Sequence, residues 1–175
     1  MSVDRKKIVV IGGGNGSSVA LRGLKSYDVD LTAIVTMFDS GGSTGILRDE
    51  FGYPPLGDIR QCLVALSPEE NDRVSAFNSA LDFRFDSGSS LRGHSVGNLV
   101  LAALTTVYHG VQGAIDEMSR MMQLQGQVVP VTLDEAHLCA RLVDGQVIRT
   151  ESAIDLRGGN GPGIDKIFLD ADVKA

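Results

Sequence analysis

The residues best suited to chemistry form a glycine-rich stretch near the start of the chain, Gly12-Gly13-Gly14-Asn15-Gly16-Ser17. In this spacing, the first glycine makes a tight turn and the second lets the backbone approach a pyrophosphate. The third position, here Ser17, allows close packing of strand and helix, and the following helix N-terminus favours an anion. The pattern predicts a phosphate-binding loop. The alternative is a tight turn between strand and helix that binds no ligand.

A second group of candidates follows the next apolar stretch. Asp39 occupies the place where a Rossmann protein holds a ribose hydroxyl, and it could equally bind Mg²⁺ or cap a turn. The run Ser40-Gly41-Gly42-Ser43-Thr44-Gly45 offers the amides and hydroxyls of an anion-binding nest, without the lysine of a Walker A loop. Arg48 could contact a phosphate through two nitrogens, or lie in a solvated turn.

Two predicted helix starts carry further polar residues. Asp58 is a good N-cap, whereas Arg60 in the same first turn opposes the helix dipole and suggests an anionic partner, either an acid or a ligand phosphate. His94-Ser95-Val96-Gly97-Asn98 opens a long apolar helix and could offer amides to an anion or a sugar hydroxyl. The alternative is simple capping by Ser95 with His94 exposed. Gly97 inside the helix suggests that another group approaches closely.

The elements that must position these residues begin with a strand, a glycine turn, a helix and a second strand. Residues 8–11 and 31–37 are apolar runs typical of a buried parallel sheet, and helical spacing covers about 17–26 between them. Four more helices are predicted, from 58 to about 66, 67 to 83, 95 to 107 and 112 to 124.

The pattern changes near the C-terminus. Three short strands at 128–133, 136–143 and 146–152 predict a small antiparallel meander, with Asp144-Gly145 as a hairpin turn and a final strand near 167. We therefore predict an α/β fold with a Rossmann-like parallel sheet flanked by helices, and a small antiparallel meander near the C-terminus. The predicted division is a nucleotide-binding region over 1–126 and a meander with a connecting segment over 127–175.

Composition and charge narrow the class of protein. The formal net charge of −6 argues against nucleic-acid binding, and no apolar stretch approaches the 18 residues of a membrane span. Cys62 and Cys139 lie far apart beside apolar residues, so buried thiols are favoured over a disulfide or a zinc site. We expect a cytoplasmic protein whose exposed sheet edge could pair with another copy to form a homo-oligomer.

Several motifs, in order along nearly the whole chain, resemble the YvcK-type gluconeogenesis factors, which share a superfamily with CofD, the 2-phospho-L-lactate transferase of coenzyme F420 synthesis. They are IGGGNGSS (11–18), IVTMFDSGGSTG (34–45), PPLGDIRQCLVAL (54–66), FRF (83–85), GHSVGNL (93–99) and GQVVPVT (126–132). The resemblance implies a Rossmann-like cytoplasmic protein that binds a nucleotide-sugar, chiefly UDP-N-acetylglucosamine or a related UDP-sugar. The implied role is regulatory, in cell shape and cell-wall precursor supply during gluconeogenic growth.

Site residues follow from the resemblance. The diphosphate is expected among Gly12, Gly13, Gly14, Asn15, Gly16 and Ser17. Asp39 should contact ribose or a metal ion, and Arg60, His94 and Asn98 should lie on the sugar side. Further candidate ligand contacts are Ser40, Gly41, Gly42, Arg48 and Asp58.

The sequence departs from the family in two ways. Asp39-Ser40-Gly41-Gly42 stands where two acids usually precede the glycines, which removes one carboxylate from any metal site. Family members are also about twice as long, so the chain is expected to match their N-terminal portion. Two other functions stay open, a Mg²⁺-dependent transferase of the CofD type and an NAD-binding oxidoreductase.

Overall fold

The computed structural model describes residues 5–40, 45, 47–48, 52–69, 72–86, 88, 90–159 and 161–174. Gly41 and Gly42 of the predicted anion-binding nest lie outside the described residues. The named elements, in chain order, are β1 (Lys6–Gly12), α1 (Gly14–Leu24), β2 (Val29–Val35), α2 (Gly57–Leu66), α3 (Asp72–Asp82), α4 (Val96–Val107), α5 (Val111–Met121), β3 (Gln127–Pro130), β4 (Leu138–Leu142), β5 (Val147–Arg149), α6 (Glu151–Leu156) and β6 (Ile164–Leu169).

The main sheet is parallel, in the order β1-β2-β3. Ile8 pairs with Leu31 and Ala33 with Val128, so the apolar runs found in the sequence lie side by side. This confirms the predicted Rossmann-like sheet flanked by helices. The first strand–helix–strand unit places the glycine loop at the carboxyl end of β1, beside the end of β2.

The segment predicted to begin the meander belongs instead to this sheet. β3 pairs in parallel with β2, so the assignment of 128–133 to the antiparallel meander is wrong. The physical reason is the connection, because α5 carries the chain back across the sheet before β3, and a helical crossover produces a parallel neighbour. The division of the chain at residue 126 stays a prediction.

Helices cover one face of the parallel sheet. Leu31, Ala33 and Val35 of β2 are buried on that face, where α1, α2 and α5 pack. On the opposite face, Val9 and Ile11 of β1 are 53% and 72% exposed. The hydrophobic core therefore lies between the sheet and one helical layer. None of the helices in the described ranges is long and apolar enough to cross a bilayer.

The starts of the second and third helices differ from the prediction. α2 begins at Gly57 with Leu56 at the N-cap position, so Asp58 lies inside the first turn and is not the cap of its own helix. Ser67, predicted to start the next helix, ends α2, and its hydroxyl donates to the carbonyl of Val64 at 2.8 Å. The named range of α3 is Asp72–Asp82. Ser67 therefore serves the preceding helix.

A second, antiparallel sheet has the order β5-β4-β6 and confirms a small antiparallel unit near the C-terminus. The predicted turn at Asp144-Gly145 is present, with φ +89° at Gly145 and the Asp144 carboxylate accepting from the amide of Gln146 at 3.0 Å. The strand predicted over 146–152 ends at Arg149. Thr150 then caps α6, because its hydroxyl accepts from the amide of Ala153.

Candidate functional site

The glycine loop joins β1 to α1 at the carboxyl edge of the parallel sheet. Gly12 and Gly14 have φ of +150° and +66°, backbone conformations that favour glycine. Gly13 is the N-cap of α1 and supplies no side-chain hydrogen bond. A Cβ atom on Gly13 would overlap the carboxylate of Asp58 and lie 2.6 Å from the hydroxyl oxygen of Thr36. The loop is therefore built for close approach of the backbone to a neighbouring group.

Gly16 differs from the other loop glycines. It lies in the first turn of α1, it is exposed, and a Cβ atom built on it meets nothing within 4 Å. Asn15 beside it is also exposed, whereas the Ser17 hydroxyl turns back to the carbonyl of Gly13 at 3.4 Å. The open side of the loop thus lies at Asn15 and Gly16, where a ligand could reach the helix N-terminus.

Asp58 extends from α2 to the N-terminus of α1. Its carboxylate accepts a hydrogen bond from the backbone amide of Gly14, a charge-assisted contact that satisfies one of the free donors of α1. Burial and then the nearby Asp39 carboxylate raise the pKa of Asp58, while the Gly14 amide and Arg60 act in the opposite direction. The protein therefore places its own anion at the helix end where the sequence predicts a phosphate.

A second acid, Glu151, lies near Asp39 and is held by the backbone amide of Ser40. The amide of Ser40 donates to Glu151 Oε2 at 3.4 Å, and the amide of Ser152 donates to Ser40 Oγ at 2.9 Å. Burial is the main cause that raises the pKa of Glu151. The hydrogen bond from the Ser40 amide lowers this pKa, and the nearby Asp39 carboxylate raises it. Asp39 is thus electrostatically coupled to two carboxylates, from α2 and from α6.

The predicted metal site at Asp39 would need carboxylates near that residue, and Asp58 and Glu151 are two acids coupled to it. Among the described residues, no group of three or more histidine, cysteine or acidic side chains could hold a metal ion. Mg²⁺ commonly uses one or two carboxylates together with ligand phosphates and water. Asp39 and Asp58 are two electrostatically coupled carboxylates, and the metal site at Asp39 stays a prediction. Sequence reasoning missed Glu151 because its segment was predicted as strand.

Arg60, Asn98 and Asp82 form a second polar cluster. Arg60 is 4% exposed, donates from Nε to Asn98 Oδ1 at 3.2 Å and pairs through Nη1 with Asp82. The anionic partner suggested by the position of Arg60 is thus supplied by an acid of α3. Arg60 is also the group that approaches Gly97 closely, because a Cβ atom on residue 97 would lie 2.5 Å from Cδ of Arg60.

The start of α4 is locally capped. Ser95 Oγ accepts from the amide of Asn98 at 3.2 Å, as the capping alternative predicts. His94 is buried at 6% exposure, so the part of that alternative which leaves it exposed is wrong. Arg60 and Asn98 are in contact in the protein interior, where His94 is also buried, and the assignment of all three to the sugar side of a ligand stays a prediction.

Arg48 lies in a different place. Its Nη2 donates to the carbonyl of Ala136 at 2.8 Å, and the side chain lines a cavity of about 230 Å³ with Met37, Tyr53 and His137. Arg48 therefore ties the segment after β2 to the approach to β4. The structure thus gathers Gly12–Ser17, Asp39, Ser40 and Asp58 at the sheet edge, and sets Arg48 apart from them.

The fold and the site define a Rossmann-like α/β protein with a glycine-rich loop and neighbouring acids at the carboxyl edge of its sheet. The family model described as 2-phospho-L-lactate transferase CofD matches residues 8–175, so the chain belongs to the CofD family. The gluconeogenesis factor of Bacillus subtilis is 44% identical over 165 residues, which cover 94% of this chain and 50% of the relative. That of Halalkalibacterium halodurans is 42% identical over 165 residues, covering 94% of this chain and 49% of the relative.

A solved structure shows the same fold. The crystal structure of protein BH3568 from Bacillus halodurans superposes with a TM-score of 0.87 at 42% identity, over 97% of this chain and 53% of that one. The chain spans between a third and about half of the length of the curated relatives it matches. The predicted family and fold class are therefore confirmed.

Proposed function

We propose that this chain contributes the nucleotide-binding sheet of a cytoplasmic regulatory protein that binds UDP-N-acetylglucosamine or a related UDP-sugar. Binding would connect gluconeogenic growth to cell shape and cell-wall precursor supply. The observation that carries the proposal is the open helix N-terminus at Asn15 and Gly16, beside the acid Asp39. The names of the Bacillus subtilis and Halalkalibacterium halodurans relatives support the link to gluconeogenesis.

In this proposal the diphosphate lies against the first turn of α1, where amides and the helix dipole favour negative charge. Asp39 then contacts a ribose hydroxyl or shares a Mg²⁺ ion with Asp58 and the phosphates. The ion would offset the repulsion between the ligand and the two carboxylates.

A pair of α1 glycines provides a matched test of the ligand position. Gly16 and Gly23 both have open space around a built Cβ atom, but Gly16 lies in the first turn and Gly23 near the other end. Gly16→Glu places a negative charge at the proposed diphosphate position, whereas Gly23→Glu places the same charge away from it. We expect Gly16→Glu to weaken UDP-N-acetylglucosamine binding at least about tenfold by charge repulsion, with Gly23→Glu close to wild type.

Ligand-observed NMR with UDP-N-acetylglucosamine measures this difference even where binding is weak. Circular dichroism of both variants serves as the folding control. Absence of UDP-sugar binding by the wild-type chain, or equal binding by both variants, would contradict the proposed position of the ligand.

The second candidate function is a Mg²⁺-dependent transferase of the CofD type, which the carboxylates of Asp39 and Asp58 beside the loop favour. Calorimetry with UDP-N-acetylglucosamine, GDP and NAD, each with and without Mg²⁺, separates the candidates. UDP-sugar binding without turnover supports the regulator. Mg²⁺-dependent product formation supports the transferase, and binding of NAD alone supports an oxidoreductase.

A further inference from the structure

A cavity of about 230 Å³ beside α1 gathers three arginines from three segments of the chain. Arg22 comes from the last turn of α1, Arg60 from the first turn of α2, and Arg84 from the segment after α3. Asn15 of the glycine loop lines one side of the same cavity. We call it the arginine pocket.

The charges in the arginine pocket do not balance. Asp82 is the acid that lines it within the described ranges, and Asp82 already pairs with Arg60. In the part of the chain that the structure describes, no carboxylate lies within ion-pair distance of Arg22 or Arg84. Arg22 interacts electrostatically with Glu69, but Glu69 lies outside the pocket lining and already pairs with Lys25. Among the described residues that line the pocket, three arginines therefore face one acid.

Polar groups around the arginine pocket are held in place. Arg60 is buried and fixed by Asn98 and Asp82, and Arg84 donates from Nη1 to the carbonyl of Gly93 at 3.0 Å. The amide oxygen of Gln61, also on the lining, is buried and accepts no hydrogen bond from the described residues. The pocket thus combines an excess of guanidinium groups over lining acids with a buried acceptor that lacks a donor among the described residues.

We propose that the arginine pocket binds a phosphate group, free or as a small monophosphate ester, through Arg22 and Arg84. Guanidinium groups match phosphate oxygens with paired, charge-assisted hydrogen bonds. The volume is below the roughly 300–1,000 Å³ usual for drug-sized ligands, so it suits a small anion. A hydroxyl of an ester, or a protonated phosphate oxygen, would supply the donor for Gln61. The proposed contacts, Arg22 and Arg84, are not among the residues assigned to the nucleotide-sugar, but the pocket shares Asn15 and Arg60 with them, so the test below includes that ligand.

The test compares phosphate binding in two sets of variants by calorimetry at constant ionic strength, with inorganic phosphate and ribose 5-phosphate as probes. The double substitution Arg22→Gln and Arg84→Gln removes both proposed contacts, and both side chains are exposed enough to change without loss of the fold. Arg92→Gln removes an exposed arginine from the same loop as Arg84 but outside the pocket. We expect the double variant to lose at least about tenfold in affinity for one or both probes, and Arg92→Gln to match wild type.

Two further measurements locate the anion. Tungstate soaked into crystals reports its position by anomalous scattering, and density between Arg22 and Arg84 supports the proposal. Equal phosphate binding by wild type and the double variant overturns it, as does tungstate bound elsewhere. A parallel titration with UDP-N-acetylglucosamine separates the two hypotheses, because a separate phosphate site leaves that affinity unchanged in the double variant. Loss of UDP-sugar binding there would show that the pocket is part of the nucleotide-sugar site and overturn the separate site.

Discussion

Replacing Gly97 by alanine tests how tightly the interior of the site is packed around Arg60. A Cβ atom at this position would lie 2.5 Å from Cδ and 3.0 Å from Cγ of Arg60, and 2.9 Å from the backbone carbonyl oxygen of Leu81. The carbonyl belongs to α3 and cannot move alone, and the arginine is held by Asn98 and Asp82. The added methyl group can therefore be accommodated only by shifts of Arg60 or of the α3 backbone that cost stability.

The expected magnitude is the difference of two effects. Overpacking a well-filled interior costs about 1–3 kcal/mol, and the fixed neighbours place this site near the upper value. Alanine in a helix interior recovers about 1 kcal/mol relative to glycine. We therefore expect Gly97→Ala to lower the free energy of unfolding by about 2 kcal/mol, a drop of about 4–8 °C in Tm.

Urea unfolding followed by circular dichroism measures this change, and Gly23→Ala provides the control. A Cβ atom at Gly23 meets nothing within 4 Å, so this substitution should leave stability unchanged or raise it by about 0.5–1 kcal/mol. Gly97→Ala should also weaken phosphate binding at the arginine pocket, because Arg60 must shift. A Gly97→Ala variant as stable as the wild-type protein would refute the reasoning.

Three further predictions concern Gly13 in the loop, the carboxylate of Asp58 and the thiol of Cys62. Gly13→Ala should destabilise the fold by about 1–3 kcal/mol, because its Cβ atom meets the Asp58 carboxylate, whereas Gly16→Ala should not; equal urea midpoints would contradict this. Because burial and Asp39 raise the pKa of Asp58 above its ordinary value in the unfolded chain, the free energy of unfolding decreases as the pH rises from that ordinary value through the raised pKa of the folded protein. The free energy of unfolding of Asp58→Asn, relative to that of the wild type, should thus increase from pH 3.5 to pH 7. A constant difference between the two proteins across that range would exclude this account. Burial and the Asp58 carboxylate raise the pKa of Cys62 to about 12, so its thiol should react with Ellman's reagent at pH 8 only after unfolding. Rapid labelling of the native protein would show that the thiol is accessible.

Local patterns predicted the parts of the structure that local interactions determine. The hydroxyl of Ser95 caps its helix by accepting from the amide of Asn98, three residues later. The turn at Asp144-Gly145 is likewise held by a contact between near neighbours, the Asp144 carboxylate and the amide of Gln146. The apolar runs of β1 and β2 likewise mark two strands with one continuous helix between them. Each feature depends on neighbours in the chain, which the sequence displays directly.

Contacts between distant segments were the ones that the sequence left open. Asp58 has the residue type and position of an N-cap, and it does serve a helix N-terminus, but that of α1, 44 residues earlier at Gly14. The position of Arg60 against its helix dipole indicated an anion, and the packing of α3 decided that it is Asp82. The run containing β3 is equally apolar in a parallel or an antiparallel sheet, so only its crossover resolves the pairing.

The carboxylate of Asp58 changes what a diphosphate must do at this loop. A phosphate that simply replaced Asp58 at the Gly14 amide would leave a partly buried carboxylate without its donor, beside Asp39. A phosphate that binds next to it at Asn15 and Gly16 instead brings further negative charge toward two acids, so a cation or a proton must accompany it. The raised pKa of Asp58 makes a proton easier to acquire, and a shared Mg²⁺ ion would serve the same purpose. On this reasoning, diphosphate affinity should increase with Mg²⁺ or with falling pH, whereas the arginine pocket, which has its own excess of positive charge, should bind phosphate without a metal ion.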